Sequence, residues 1–155
     1  MTDHLSCNEP IDSDRGTLLP RLLGTPLLLV VAGGSAGTTL RVLLSAAVPD
    51  IDGVPWGIFV INLIGGFALG LLLEILARRG PDTGRRRQFR LLLGTGLIGG
   101  FTTYSALSVD TAMLLDDSQL PAGAGYALAT VLLGAIASVL GILTGRLVPA
   151  QRARS

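Results

Sequence analysis

Four long apolar stretches alternate with short polar ones along the chain. They cover about residues 26–48, 57–77, 91–115 and 122–145. A helix that crosses a bilayer needs roughly 20 mostly apolar residues, so each stretch is long enough to span a membrane. The pattern predicts an all-α membrane protein whose four transmembrane helices occupy 26–146. A polar, flexible tail is predicted at 1–25 and a basic tail at 147–155.

Composition agrees with this pattern. Of the 155 residues, 49% are hydrophobic and 15% are charged, and the mean hydropathy is +0.60; ordinary globular domains are less apolar. The connections are of loop length, which leaves no space for a soluble catalytic domain. The single cysteine, Cys7, and the single histidine, His4, both lie in the N-terminal tail. One chain therefore cannot form a disulfide, a Cys/His metal site or a His-based catalytic group.

The basic residues are all arginine, and they are unevenly placed. Eleven of the twelve precede the first span, separate the second from the third, or follow the fourth: Arg15, Arg21, Arg78, Arg79, Arg85, Arg86, Arg87, Arg90, Arg146, Arg152 and Arg154. With four spans these segments face one side, which the positive-inside rule identifies as the cytoplasm. We expect a multi-pass protein of the cell (inner) membrane with both termini cytoplasmic. Because the net charge is only +1, a topogenic loop is favoured over a nucleic-acid site.

The twelfth arginine, Arg41, lies inside the first span near its non-cytoplasmic end. A charge at that depth is costly unless its side chain extends to the interface or lines water. One interpretation is a side chain that extends to the interface. The other is a cation at the mouth of a water-filled vestibule, where it would attract anions.

Small residues recur four positions apart on the spans. The pairs are Gly33 and Gly37, Gly66 and Gly70, Gly134 and Ser138, and Gly141 and Gly145. Such faces let helix backbones approach closely in lipid and gain dispersion contacts. A compact bundle is predicted. Because a monomer of four helices would leave some of these faces unpaired, the pattern also favours an oligomer.

The third span contains the sequence "GLIGGFTTYSAL", residues 96–107. Gly99 and Gly100 lie near its centre, and the hydroxyls of Thr102 and Thr103 can compete with helix continuation. These residues predict a break near mid-membrane, where freed carbonyl oxygens suit a hard cation such as Na+. The alternative is that the glycines only allow a neighbouring helix to approach closely.

Most other polar residues of the spans are neutral hydrogen-bond donors. They include Asn62, Ser105, Ser108, Tyr126, Thr130, Ser138 and Thr144. Carboxylates are few: Glu74 lies about one turn from the cytoplasmic end, where we expect it to pair with Arg78 at i+4, and Asp110 lies toward the outer end of span three. A lining of hydroxyl and amide donors suits a small anion better than a cation.

Three motifs resemble those of a known family, the Fluc/CrcB fluoride channels. "GGSAGTTLR" resembles the first-helix motif, "WGIFVINLIGGFALG" the second-helix motif with its asparagine, and "GLIGGFTTYSAL" the third-helix signature. The resemblance covers about residues 33–145. It implies four-helix subunits in an antiparallel dimer, with two fluoride pathways and a structural, non-transported Na+ at the dimer centre. Backbone carbonyls corresponding to Gly99 and Thr102 would hold this Na+.

The resemblance also implies an anion pathway through particular side chains. Asn62 matches the pore asparagine and Arg41 the first-helix arginine, while Tyr126 and Thr130 lie where the family has polar residues on the fourth helix. The complete set of expected pathway residues is Asn62, Thr103, Tyr104, Ser105, Ser108, Tyr126, Thr130 and Arg41. The implied function is passive efflux of fluoride, which lowers its concentration and toxicity in the cytoplasm.

Two features depart from the family pattern. The third helix of family members has two phenylalanines, and the aligned residues here are Tyr104 and Leu107; a threonine early in the second helix is replaced by Ile58. Leucine lacks the positive ring edge that can face an anion, so a homodimer would have weakened anion sites. The one-sided arginines predict insertion in a single orientation. Both features favour a heterodimer with an oppositely oriented homologue that supplies the missing aromatic residues.

Three other classes of protein can be weighed against a fluoride channel. A proton-coupled multidrug exporter of four helices needs a carboxylate within the membrane, and the first span has none. A non-conducting scaffold subunit of a heteromeric channel is kept open by Leu107 and Ile58. An enzyme is disfavoured because no span combines a nucleophile with a base.

Overall fold

The computed structural model describes residues 24–51, 53–116 and 120–149. Almost all of both predicted tails, including His4 and Cys7, therefore lies outside the described residues. The same applies to Arg15, Arg21, Arg152 and Arg154.

The described chain is helical, and four of its segments are long and apolar enough to cross a membrane. The first two are α1 (Thr25–Ala47) and α2 (Trp56–Ala77). The third span, Gly84–Asp116, consists of α3 (Gly84–Phe89), a π-helix (Arg90–Ile98), α4 (Gly99–Phe101) and α5 (Tyr104–Asp116). The fourth is α6 (Leu120–Leu147). The four membrane-spanning helices predicted from the apolar pattern are confirmed, and the third is interrupted.

Proline and glycine set the first helix boundaries. Pro26 lies in the first turn of α1, where its missing N–H would have had no helical partner. Pro55 directly precedes α2. Between these helices, Ile51 and Val54 form a single antiparallel bridge across a turn, and Gly53 adopts a positive φ of 76°. Because this connection is short, α1 and α2 run in opposite directions through the bundle.

Two close helix pairings hold the bundle together, and the small-residue faces form both. Helix α1 packs on the π-helix: a Cβ at Gly33 or at Gly37 would lie within 2.9 Å of Leu97 backbone atoms. Helix α2 packs on α6: a Cβ at Gly66 would lie 3.0 Å from the Gly134 carbonyl oxygen, and Gly70 faces Ser138. All four small-residue pairs are therefore used within one chain. These intrachain contacts do not test the oligomer that the pattern favoured, which stays a prediction.

The buried core is small and surrounds the interruption of the third span. It comprises Ile58, Ile61, Phe101, Leu107, Leu114 and Tyr126. Most other large apolar side chains of the spans are exposed on the outer surface of the bundle. This distribution is expected where lipid covers the outside and helices gain little from burying apolar side chains against one another.

The acidic residue near the arginine-rich end has a different partner from the one expected. Glu74 pairs with Arg146 of α6, with 3.6 Å between Oε1 and Nε. Arg78 instead donates from Nη1 to the Arg146 carbonyl oxygen. The close approach of Gly145 to the Glu74 side chain brings the two helices together at this point. The predicted i+4 pair with Arg78 was therefore wrong, because the tertiary partner lies within reach.

Candidate functional site

The third span is broken at Thr102 and Thr103, between α4 and α5. Thr102 has extended backbone, with φ −76° and ψ 153°. Gly99 and Gly100 remain helical, so the predicted break is confirmed but lies two residues beyond the glycines. Gly100 fulfils the alternative interpretation, because a Cβ there would lie 3.0 Å from the Gly34 Cα of α1.

The side chain of Asn62 on α2 pairs with the backbone of the break. Thr103 N–H donates to Asn62 Oδ1 over 2.9 Å, and Asn62 Nδ2 donates to the Thr103 carbonyl oxygen over 3.0 Å. The amide orientation follows from chemistry, since a backbone N–H can only donate and so must face the side-chain oxygen. One primary amide thus replaces the helical partner of the Thr103 N–H and adds a second donor to the Thr103 carbonyl, which as the N-cap carbonyl also accepts the first hydrogen bond of α5.

The two threonines close the helix ends on either side. Thr102 donates both its N–H and its hydroxyl to the Ile98 carbonyl oxygen, over 2.9 and 3.0 Å. Thr103 Oγ1 accepts the N–H of Ala106 over 3.2 Å, which makes Thr103 the N-cap of α5. Adjacent threonines therefore end one helix and begin the next without leaving their own N–H groups unpaired.

The interruption frees the last four carbonyl oxygens of the helix that precedes it, those of Gly99, Gly100, Phe101 and Thr102. In a continuous helix the N–H of Thr103 would bond the Gly99 carbonyl, and that of Ala106 would bond the Thr102 carbonyl. Both donors are directed elsewhere, to Asn62 Oδ1 and to Thr103 Oγ1. Two of the four freed carbonyls, those of Gly99 and Thr102, are the ones that the resemblance to the fluoride channels implies as cation ligands. Oxygen ligands of this kind suit a hard cation.

A third carbonyl at the break has a partner that the sequence did not reveal. Thr38 of α1 donates from Oγ1 to the Gly100 carbonyl oxygen over 3.3 Å. A hydroxyl in the middle of an apolar span was a signal for such a role, but nothing in the sequence showed which carbonyl it would meet.

Side-chain ligands for a metal are lacking in the part of the chain that the structure describes. No group of three or more His, Cys, Asp or Glu side chains lies close enough there to hold a metal ion. The released carbonyls are therefore the candidate cation ligands.

A groove of about 410 Å³ opens beside the break. Six of the predicted site residues line it: Asn62, Gly99, Thr102, Thr103, Tyr104 and Thr130. Leu107 and Val131 complete the wall. The fold thus brings together residues from α2, the third span and α6 that are distant in sequence.

The groove contains uncommitted hydrogen-bond donors. Asn62 Nδ2 carries a second N–H besides the one that it gives to Thr103. Thr103 Oγ1 and Ser105 Oγ lie 3.1 Å apart, and whichever hydroxyl donates to the other, the second proton stays available. The proton of Thr130 is engaged, because Oγ1 donates to the Tyr126 carbonyl oxygen over 2.7 Å. Thr103 lines the groove and Ser105 does not, so an anion there can meet the amide proton of Asn62 and, when Ser105 donates to Thr103, the hydroxyl proton of Thr103.

Tyr104 and Leu107, the two residues aligned with the family's phenylalanines, differ sharply in solvent exposure. Tyr104 is 79% exposed and borders the groove from its open side. Leu107 is 5% exposed and forms part of the core that closes the groove. The aromatic ring that remains therefore lies at the outer surface of the subunit, and an aliphatic side chain lines the interior.

Two predicted residues lie at a separate pocket. Arg41 lines a cavity of about 530 Å³ together with Asp50, Asp110 and Ile58. Tyr126 is next to it, with its hydroxyl 3.3 Å from Asp110 Oδ2 and 3.4 Å from the Pro55 carbonyl oxygen. Arg41 Nε is buried and finds no partner among the described residues. Arg41 thus lines a cavity, but Asp50 and Asp110 share it, and two carboxylates oppose the attraction of anions that the vestibule interpretation requires. The role of Arg41 in the anion pathway stays a prediction.

Ser108 was predicted to line the anion pathway, but it lies outside the groove. It is exposed, and its hydroxyl donates to the Tyr104 carbonyl oxygen of its own helix over 3.0 Å. It does not line the groove. The structure therefore brings Ser105 to the break through Thr103 but leaves Ser108 on the surface of α5.

Comparison with known proteins identifies the family. Residues 28–142 match the model of the CrcB-like protein, Camphor Resistance (CrcB) family. A fluoride-specific ion channel, FluC 2, of Leifsonia xyli subsp. xyli (strain CTCB07) is 50% identical over 140 residues, which are 90% of this chain and 97% of that protein. A fluoride-specific ion channel, FluC 1, of Cutibacterium acnes (strain DSM 16379 / KPA171202) is 46% identical over 125 residues, 80% of this chain and 87% of that protein.

A third relative shows the same agreement. A fluoride-specific ion channel, FluC, of Mesorhizobium japonicum (strain LMG 29417 / CECT 9101 / MAFF 303099) is 43% identical over 125 residues, 79% of this chain and 98% of that protein. The matches span all four helices and the break of the third. The chain belongs to the CrcB family.

Proposed function

We propose that this chain is a subunit of a fluoride-specific ion channel that allows passive fluoride efflux and so lowers cytoplasmic fluoride. The names of its relatives support this function. The observation that carries it is the groove at the break, which Asn62 and Thr103 line within the membrane-spanning bundle. The Asn62 amide and the hydroxyl pair of Thr103 and Ser105 retain spare donors there.

The chemistry of the groove suits a small, strongly hydrated anion. Removing water from fluoride is expensive, so a pathway must supply other donors. The second N–H of Asn62 and the spare hydroxyl of the Thr103–Ser105 pair are such donors. The positive edge of the Tyr104 ring, at the open side of the groove, is a third. A carboxylate would repel the anion, and none lines this groove.

We also propose a structural, non-transported Na+ at the carbonyls of Gly99 and Thr102. These oxygens lose their helical donors at the break. Carbonyl oxygens without donors can coordinate a hard cation. Of the four carbonyls freed at the break, only these two belong to residues that line the groove. Two subunits that meet here would offer two each, and the cation would then stabilise their contact.

The surface around the break supports an antiparallel dimer. Gly99 is exposed, and exposed hydroxyls lie along the neighbouring faces: Ser35, Thr38, Thr95, Ser105 and Ser108. Non-helical backbone at membrane depth persists only where protein or a water-filled cavity covers it. A second subunit, inverted relative to the first, would cover this face and place two breaks opposite each other.

A heterodimer explains two further features. The arginines of the described loops lie at one end of the bundle, which favours a single orientation, with the termini in the cytoplasm. Leu107 lines the groove where family members carry a phenylalanine, so a homologous partner would supply the missing ring. Two relatives bear the numbered names FluC 1 and FluC 2, as expected where one organism has more than one such chain. The multidrug-exporter and scaffold alternatives gain no support from these relatives.

A cell assay tests this function. In a bacterium that lacks its own fluoride channels, we expect intracellular fluoride to fall when this chain is expressed with an oppositely oriented homologue, and to change little with either chain alone. Fluoride content after washing and lysis, read with a fluoride electrode, is the measurement. Retention of fluoride by cells that express both chains would contradict the channel function. Equal clearance of fluoride by cells that express this chain alone would contradict the heterodimer proposal.

A further inference from the structure

The pairing of Asn62 with Thr103 has a consequence for the carbonyls of the break. Both hydrogen bonds join a side chain of α2 to backbone of the third span, over 2.9 and 3.0 Å. Within the described residues, the Asn62 side chain makes no other hydrogen bond. The Thr103 N–H is the group that would otherwise bond the Gly99 carbonyl.

Removing the amide would leave Thr103 N–H without a partner in the membrane, which is costly. The nearest way to satisfy it is to rebuild the helical bond to the Gly99 carbonyl. That bond would occupy one of the two oxygens proposed to hold the cation. The state of the Gly99 carbonyl therefore depends on whether Asn62 Oδ1 accepts the Thr103 N–H.

The neighbouring residue on α2 supports the same contact. Gly65 lies one turn after Asn62 on the same face of α2, and the methyl group of Thr102 occupies the space that Gly65 leaves open. Asn62 and Gly65 together therefore form a seat into which both threonines of the break fit.

We propose that Asn62 is a positioning residue for the cation site, in addition to facing the anion groove. It acts through Thr103, by taking the N–H that would close the helix over the Gly99 carbonyl. This inference rests on the proposed Na+ site. The Asn62 amide therefore serves both sites. Its oxygen accepts the Thr103 N–H and so stabilises the break, and its second N–H is available to an anion in the groove.

The test compares the Na+ dependence of thermal unfolding in three variants of the purified full-length chain, in its conducting assembly. Na+ is titrated against choline at constant chloride. Asn62→Ala removes both hydrogen bonds. Asn62→Asp retains an oxygen that accepts the Thr103 N–H but adds a negative charge to the groove. Thr144→Val is the control, because the exposed Thr144 hydroxyl bonds only the Leu140 carbonyl of its own helix.

We expect the half-saturating Na+ concentration to rise about tenfold or more in Asn62→Ala and to stay within about threefold of the wild type in Asn62→Asp and Thr144→Val. Fluoride efflux should be lost in both Asn62 variants and kept in Thr144→Val. An unchanged Na+ dependence in Asn62→Ala would overturn the inference. That result is expected if Asn62 only binds the anion and does not position the carbonyls of the break.

Amide hydrogen exchange separates this inference from the Na+ proposal. If the wild type shows no Na+ response, the proposed cation fails. The positioning role is then judged by the Thr103 amide, which should exchange slowly in the wild type and in Asn62→Asp. In Asn62→Ala it should exchange about tenfold faster or more. If Asn62→Ala does not fold, a wild-type Thr103 amide that exchanges as fast as the loop amide of Gly53 overturns the inference.

Discussion

The methyl group of Thr102 fills the space above Gly65, so that a Cβ at position 65 would overlap Thr102 Cγ2 and lie 3.3 Å from Phe101 Cδ1. The break of the third span is thereby seated directly on α2. Any side chain at position 65 must displace either the extended residue of the break or the buried ring that precedes it.

Gly65→Ala should therefore disturb the break. We expect a destabilisation of about 1–3 kcal/mol, as found when a packed site is overfilled, and a loss of fluoride efflux because Thr102 must move. The control is Gly125→Ala in α6, where a Cβ meets nothing within 4 Å. Both substitutions replace a helical glycine, so the difference between them isolates the collision. Thermal unfolding in detergent and efflux from liposomes are the measurements, and equal behaviour of the two variants would refute the prediction.

The contact between α1 and the π-helix provides a second matched pair. A Cβ at Gly37 would lie 2.9 Å from the Leu97 carbonyl carbon and from the Phe101 N, whereas a Cβ at Gly34 would meet only the Gly96 carbonyl oxygen at 3.9 Å. Backbone cannot give way as a flexible side chain can. Gly37→Ala should thus reduce the yield of folded, monodisperse protein severalfold, while Gly34→Ala should match the wild type in size-exclusion chromatography. A Gly37→Ala protein with wild-type yield and unfolding temperature would show that this helix pairing is looser than described.

The Glu74–Arg146 pair should contribute little to stability. Its 3.6 Å separation is long, and the Arg146 side chain is 62% exposed. Pairs of this kind contribute about 0–1 kcal/mol. Glu74→Gln should therefore lower the free energy of unfolding by no more than about 1 kcal/mol, and added salt should shrink the difference further. A loss above about 2 kcal/mol would mean that the pair is more deeply shielded from water than its exposure indicates.

Leu107→Phe tests the missing aromatic ring. The ring would border the groove, and we expect the fluoride efflux of this chain alone to rise, at a stability cost of about 1–3 kcal/mol from the added volume. Leu107→Met is the control, since it keeps the volume without adding a ring. If Leu107→Phe and Leu107→Met conduct equally, the absent phenylalanine does not limit the anion pathway.

The apolar pattern was sufficient to locate the spans, because membrane thickness fixes the length of a helix. The break was predicted from two glycines and the two threonines that follow them, and it lies at the threonines, because glycine only permits a break. The bonds that stabilise this one belong to Thr102, Thr103 and Asn62. Asn62 was singled out by resemblance as a pore residue, and its partner 41 positions away could not be read from spacing.

Other features depended on tertiary contacts that a single sequence does not encode locally. The π-helix at Arg90–Ile98 has no distinctive pattern of its own residues. Small-residue pairs indicated close packing but not which helices would meet, and the oligomer that they favoured stays a prediction. The partner of Glu74 was misassigned for the same reason, because helical spacing reports only neighbours on one helix.

Fluoride efflux from liposomes tests the central claim most directly. The chain is reconstituted with an oppositely oriented homologue in vesicles loaded with potassium fluoride or potassium chloride, and efflux is started with a potassium ionophore and followed with ion-selective electrodes. We predict rapid release of fluoride, no release of chloride above protein-free vesicles, and loss of the fluoride signal in Asn62→Ala. Fluoride release no faster than from protein-free vesicles, or equal release of both anions, would contradict a fluoride pathway at the break of the third span.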